Sequence, residues 1–186
     1  LHSYLKYGLK PSKNFETQFK NNLDLKVIGM LAYFDIHLND VYFVWQGDLK
    51  IFKINIDTGK LGFFGHKTSR YVKPYSSKKM VEAYRVRNTL IRQAEKKEMS
   101  FIVNIFASDK YVLLVYEGPV KQEKNSNLWM QVYTFDGKFV EELTIPGQPS
   151  RVMYFDKNKS TLYSLTNEID DEFKEDYSIL VYKIIP

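Results

Sequence analysis

Leu128-Trp129-Met130-Gln131-Val132-Tyr133-Thr134-Phe135 and Phe139-Val140-Glu141-Glu142-Leu143-Thr144-Ile145 flank the short break Asp136-Gly137-Lys138. β-branched and aromatic side chains suit a pleated surface, and Asp and Gly accept the backbone angles of a tight hairpin turn. The segment therefore predicts two antiparallel strands. Upstream stand two more: 100–107 (Ser-Phe-Ile-Val-Asn-Ile-Phe-Ala), a turn at Ser108-Asp109-Lys110, and Tyr111-Val112-Leu113-Leu114-Val115-Tyr116. Residues 100–146 thus read as one meander of four strands, with a polar loop over 118–127 between the second and third.

The same order occurs twice more. Before it come a strand over 26–34, a turn at Leu38-Asn39-Asp40, the strand Val41-Tyr42-Phe43-Val44-Trp45 and a turn at Gly47-Asp48. A strand over 49–56 follows, alternating with period two as a strand does when one face is packed. Asp57-Thr58-Gly59-Lys60 then turns at the place that Asp136-Gly137-Lys138 holds in the other copy, and 61–65 gives the fourth strand. A third copy begins after Pro149, with strands over 150–155, 160–165 and 177–184 and a polar loop between the last two; it ends one strand short. Repeats of about 40–50 residues with four strands each are the mark of β-propeller blades. A four-stranded blade is apolar on both faces and needs a neighbour on each side. The expected fold is all-β: a β-propeller segment of about three four-stranded blades (25–65, 100–146, 149–186) with one inserted helix, in a single domain over 1–186. A β-sandwich or open barrel is the alternative architecture.

The inserted helix is read over 78–98, where Met80, Ala83, Tyr84, Arg87, Leu90, Ile91 and Ala94 recur at three- and four-residue spacings and Ser77 can cap the first turn. Composition agrees with a β-rich core. Apolar residues are 44% of the 186, and Tyr (14) and Phe (13) are numerous. A chain of this length buries roughly 70% of its unfolded surface, so a core needs no staple. With no Cys, disulfides, thiolate chemistry and cysteine metal sites are excluded. The chain starts Leu1-His2-Ser3, which suggests a trimmed or processed product. No apolar run reaches the length of a signal core or a membrane span, so the piece is expected to be soluble. The net charge of +5, from 27 basic and 22 acidic residues, is scattered Lys rather than a nucleic-acid face.

The succession 101–116, 128–138 and 150–184, with phrases such as Asn104-Ile105-Phe106-Ala107-Ser108-Asp109-Lys110-Tyr111 and Tyr133-Thr134-Phe135-Asp136-Gly137-Lys138, resembles the carboxy-terminal half of six-bladed TolB-like and NHL-like propellers of Bacteroidetes. The resemblance implies an exported or lipid-anchored protein in the periplasm or on the cell surface. It also implies a ring closed by an amino-terminal strand, and binding roles. It supplies no catalytic residues, and about three blades of the family pattern have no counterpart here.

Individual motifs give little chemistry. Asp57-Thr58-Gly59 matches the aspartic-protease tripeptide, but that chemistry needs two such loops sharing a proton; a single copy at a hairpin position reads as a turn. His2, His37 and His66 lack the convergent spacing of a zinc site, and His37 reads as a turn or strand-end residue that bonds locally. The acidic run 167–176 lacks the central Gly of a calcium loop and reads as a solvated hairpin tip or a patch facing a partner. The basic run from Lys67 to Lys97, with Tyr71, Tyr75 and Tyr84 among its cations, reads as a charged helix over a rim; phosphates or an anionic membrane are the sharper alternative. No phosphate-cradling Gly loop or nucleophile elbow is present.

The sequence therefore points to a non-catalytic or structural protein that engages a protein or glycan through rim loops over 118–128 and 165–177. The partner-binding candidates are Trp45, Tyr71, Tyr75, Arg85, Arg92, Trp129, Asp170 and Asp171. No catalytic residue, metal or cofactor is expected. A homodimer, or a complement from another half propeller, is expected to supply the remaining blades. The alternative is a hydrolase or lyase whose site spans several blades and lies partly outside this chain.

Overall fold

The computed structural model describes residues 32–45, 48–74, 97–119, 128–147, 151–169 and 175–184, with Val86 and Leu90 as isolated positions and only the backbone at 167–169 and 175–177. The helix expected over 78–98, and with it Tyr75, Arg85 and Arg92, falls essentially outside these residues, as do Asp170 and Asp171. Eleven strands run through the described residues: β1 Ala32–His37, β2 Asp40–Trp45, β3 Ile51–Asn55, β4 Leu61–Phe64, β5 Phe101–Ala107, β6 Tyr111–Glu117, β7 Leu128–Thr134, β8 Phe139–Thr144, β9 Met153–Asp156, β10 Thr161–Ile169 and β11 Glu175–Lys183. They form three antiparallel meanders: a first sheet β1-β2-β3-β4, a second sheet β5-β6-β7-β8 and a third sheet β9-β10-β11. The chain is all-β and consistent with a partial β-propeller-like fold.

The sheets stack, and the second lies between the other two. One core joins Tyr42, Val44 and Ile51 of the first sheet to Ile102, Ile105, Val112, Leu114, Tyr116, Trp129 and Tyr133 of the second. The other joins Val103, Phe106, Leu113, Val115, Met130 and Val132 of the second to Phe155 and Leu162 of the third. Neighbouring residues of β6 thus feed opposite seams, as the alternation of side chains along a strand requires. Each fully buried Leu, Val or Ile contributes about 1.5–3 kcal/mol by leaving water.

Two bulges adjust this alternation. In β5, Ile102 pairs with Tyr116 and Asn104 with Val115, leaving Val103 as the extra residue. Ile102 and Ile105, three apart, therefore reach the same seam. In β7–β8, Val132 pairs with Glu141 and Tyr133 with Phe139. The extra Val140 puts Phe139 and Glu142 on the face of Gln131 and Tyr133, toward the first sheet.

Some boundaries differ from the sequence reading. The first strand runs to His37, and Asp40 is the first residue of β2 rather than part of the turn, since Leu38 and Asn39 alone connect the pair His37–Asp40. The polar segment 165–177, expected as a loop, is strand as far as Ile169 and again from Glu175, with pairing up to Ile169–Glu175. Each added antiparallel pair satisfies backbone donors and acceptors whatever the side chains carry, which is why composition misplaces this boundary.

The two glycine turns share a positive φ and are differently packed. Gly59 has φ +65 and Gly137 φ +91, both in the region that suits glycine. A Cβ on Gly59 meets nothing within 4 Å, whereas one on Gly137 falls 2.7 Å from the Phe64 ring of the neighbouring sheet. Gly59→Ala is therefore expected to cost about 1 kcal/mol of backbone strain. Gly137→Ala should cost about 2–3 kcal/mol, because it also displaces Phe64. Urea denaturation of the two variants checks this, and equal losses would contradict the packing at Phe64.

Candidate functional site

The first strands β1, β5 and β9 lie at one edge of their sheets, and their ends converge on one carboxylate. Asp35 of β1 accepts the backbone N–H of Ala107 in β5 at 2.8 Å and the Nζ of Lys157, in the turn after β9, at 2.9 Å. Lys157 also donates to the Ile36 carbonyl at 3.0 Å. One side chain thus ties all three sheets together. Beside it, His37 Nε2 lies 2.6 Å from Asp109 Oδ1, and the imidazole meets Phe135 edge-on at 6.0 Å between centroids.

On the same face of the first sheet, Asp40 pairs with Lys53 at 2.9 Å and accepts Asn55 Nδ2 at 3.0 Å. Burial works against the Asp40 charge, but the hydrogen bonds from Lys53 and Asn55 outweigh it and hold the carboxyl below its ordinary range. Burial likewise opposes the Lys53 charge, and the bond to Asp40 more than restores it. Lys53 also sits 4.2 Å above the Phe135 ring, a cation–π contact across the seam.

A second polar knot lies in the seam between the first and second sheets, where the strap after β4 crosses β8. The Glu142 side chain is only 8% exposed. Its carboxylate accepts Thr68 Oγ1 at 3.0 Å, Arg70 Nη1 at 2.9 Å, Gln131 Nε2 at 2.8 Å and the Tyr116 hydroxyl at 3.0 Å. Gln131 also donates to the His66 carbonyl at 3.1 Å, and the Tyr133 hydroxyl donates to Gln131 Oε1 while accepting the His66 N–H at 2.9 Å. Burial alone would raise Glu142, but the four donors outweigh it and keep the carboxyl below its usual range. Burial, and then the Glu142 charge, push Tyr116 well above an ordinary phenol; burial does the same to Tyr133. The knot fixes protonation states and sheet positions, and none of these shifts moves a group toward neutral pH.

Two partner-binding candidates meet at this knot. Trp129 is 7% exposed, and the Arg70 guanidinium lies 4.2 Å over its indole; Tyr71 meets Tyr116 edge-on at 5.4 Å. The structure thus places Trp129 inside the seam as a platform for Arg70. Trp45 is remote from both, on the outer face of the first sheet, edge-on to Phe43 at 6.1 Å. Tyr75, Arg85, Arg92, Asp170 and Asp171 lie outside the described residues. His37, expected to bond locally, bonds instead to Asp109 of the second sheet, because the repeat brings equivalent turns together. Asp57-Thr58-Gly59 is a turn in which Asn55 Oδ1 accepts both the N–H and the hydroxyl of Thr58. Among the described residues no group of three or more His, Asp or Glu could hold a metal ion. Sequence reasoning missed Asp35, Gln131 and Glu142. The available signal was Gln131, a lone amide in the apolar run of β7, whose register partner is Glu142.

A solved structure shares this fold. It is a member of the duf4221 family from Bacteroides vulgatus, 12% identical, with a TM-score of 0.56 over 83% of this chain and 46% of that one. This chain spans about half the length of that structure, and at this identity the likeness concerns the fold alone. No family model matches the chain, and no curated protein matches it.

Because the Glu142 carboxyl is held below its ordinary range in the folded chain, its contribution is present above the unfolded glutamate value of about 4.3 and is lost as the pH falls through the lower, folded one. Glu142→Gln should cost about 1–3 kcal/mol at pH 7. It should also flatten the fall in urea midpoint between pH 5 and 3. A variant as acid-sensitive as the parent would mean that another carboxylate governs the loss.

Proposed function

We propose that this chain is a non-catalytic binding protein of the propeller type that TolB-like and NHL-like proteins represent, engaging a protein or glycan through one rim. The observation that carries the reading is the overrun of β10 and β11. They pair from Thr161–Lys183 to Ile169–Glu175, while β9 accompanies only Thr161 to Ser164. A two-stranded ribbon therefore continues for five residue pairs past the third sheet, about 17 Å at the antiparallel rise. In sequence, the segment 168–176 holds Glu168, Asp170, Asp171, Glu172, Glu175 and Asp176 against a single Lys174. The connection between β6 and β7 leaves its own sheet at the same end, since both segments join a second strand to a third. Stacked sheets tied through Asp35 and Glu142 give such a rim a rigid base, and rigid scaffolds with variable loops are the usual architecture of recognition. That acidic composition favours a partner with a cationic surface.

A second reading, a hydrolase or lyase whose site spans sheets, draws on His37 and Asp109 at 2.6 Å with Asp35 and Lys157 close by. The same experiment separates the two. Glycan and basic-peptide arrays are probed with the parent chain, with a variant in which Asn-Gly replaces residues 168–176, and with His37→Asn. The binding reading expects hits that weaken at least tenfold in the shortened variant while its melting temperature is retained and His37→Asn still binds. Hits of equal strength in the shortened chain, or turnover of a glycoside or ester panel that His37→Asn abolishes, would replace it with the enzymatic one.

A further inference from the structure

The strap after β4 is fixed at both ends and held by polar contacts in the middle. Upstream, Gly65 runs so close to Leu49 that a Cβ there would lie 2.3 Å from the Leu49 carbonyl oxygen. Downstream, the Val72 N–H donates to Ser100 Oγ and the Ser100 N–H to the Val72 carbonyl, both at 2.8 Å, and Ser100 is fully buried. Between these anchors, residues 66–70 (His-Lys-Thr-Ser-Arg) add no apolar side chain to either core. His66, Lys67, Ser69 and Arg70 are exposed. Their hold on the second sheet consists of the His66 ring stacked on Phe139 at 3.8 Å, the Arg70 guanidinium on Trp129, and the hydrogen bonds to Tyr133, Gln131 and Glu142. A segment with so little buried apolar surface opens at lower cost than the sheets it lies on.

Glu142 is the node of that hold. It accepts directly from Thr68 and Arg70 of the strap, and from Gln131, whose amide nitrogen also donates to the His66 carbonyl. Arg70 and the Gln131 amide nitrogen can only donate, so a protonated Glu142 would find acceptors for its O–H in the Thr68 and Tyr116 hydroxyls alone. The charged and titratable groups around the carboxylate are Arg70 and His66 from the strap, Tyr116 from β6 and Tyr133 from β7. The adjacent Glu141 is the register partner of Val132 and turns to the opposite face. We infer that Glu142 is an acid-operated latch: when its charge is lost, residues 66–70 lift off the second sheet and uncover the Trp129 indole, while the three meanders stay folded. Gly118 marks where that surface opens, since a Cβ on it would fall 3.2 Å from Trp129 Nε1; the uncovered face lies at the root of the connection between β6 and β7. The four donors hold the carboxyl below its usual range, so the latch stays closed down to the ordinary glutamate value of about 4.3 and opens below it. No partner enters this device, so its test leaves the proposed rim function aside.

The chain has no Cys, so a nitroxide on Ser69→Cys, at an exposed position of the strap, reports without interference. Its spin-resonance spectrum is expected to be that of an ordered segment at pH 7. It should sharpen to that of a loose one as the pH falls below about 4.3, with the far-ultraviolet circular dichroism unchanged. In Trp45→Phe, where Trp129 is the remaining indole, the acrylamide quenching constant should roughly double over the same interval. Glu142→Gln should show the mobile label and the quenchable indole already at pH 7, with no further change on acidification. A label that loosens only together with the loss of circular dichroism overturns the inference, because the strap then unfolds with the sheets. It is overturned equally by a strap that stays ordered throughout, or by a Glu142→Gln chain whose label follows the pH as the parent's does. Should Glu142→Gln fail to fold, Arg70→Gln decides, since it removes the countercharge from an exposed position. Its label should be loose at pH 7, and an ordered one overturns the inference.

Discussion

A strand whose alternate side chains are both apolar cannot lie on a core with its other side in water, and β6, β7 and most of β5 are strands of this kind. Leu113 and Val115 face one neighbour while Val112, Leu114 and Tyr116 face the other. The stacking of the three sheets follows from this two-sidedness, because each seam removes apolar surface from water on both of its walls. The number of strands per sheet, the position of the turns and the crowding of first strands at one edge are ways of repeating that arrangement with a short chain.

Dry seams make polar residues inside them consequential. Glu142 enters a seam only with donors from Thr68, Arg70, Gln131 and Tyr116, since a buried carboxylate without partners would neutralise or unfold its surroundings. Its partners come from the strap after β4 and from two strands of the second sheet, β6 and β7, so the knot tolerates only one alignment of the two sheets. Apolar surfaces alone would slide. The Asp40–Lys53 pair and the Lys53–Phe135 contact set the alignment at the other end of the same seam.

Most of the fold was legible because it rests on local regularities. The apolar alternation of β3 and the Asp-Gly turns at Gly59 and Gly137 mark repeats without any long-range information, and all three meanders fall where they predict. The polar knots were not legible, because they depend on where one extra residue sits. Val140 inverts the outer part of β8, and only after that inversion does Glu142 rather than Glu141 face the seam. Composition offers no reason to prefer either glutamate. Trp129 shows the opposite limit: an indole suits a binding rim and a core equally well, and only the stack reveals that it supports Arg70 from within. The length of the β10–β11 ribbon was hidden as well, since charged side chains along it read as loop while its backbone continues to pair.

Asp35 holds an amide of one neighbouring strand and an ammonium from the turn beyond it, so the three sheets are bound along one edge like pages at a spine. The opposite margin of the first seam is fastened as well, by Glu142 of β8 on Thr68 and Arg70 of the strap after β4. The first two sheets are therefore clasped at both margins, and a load on either one is handed to the other without a rearrangement inside either sheet.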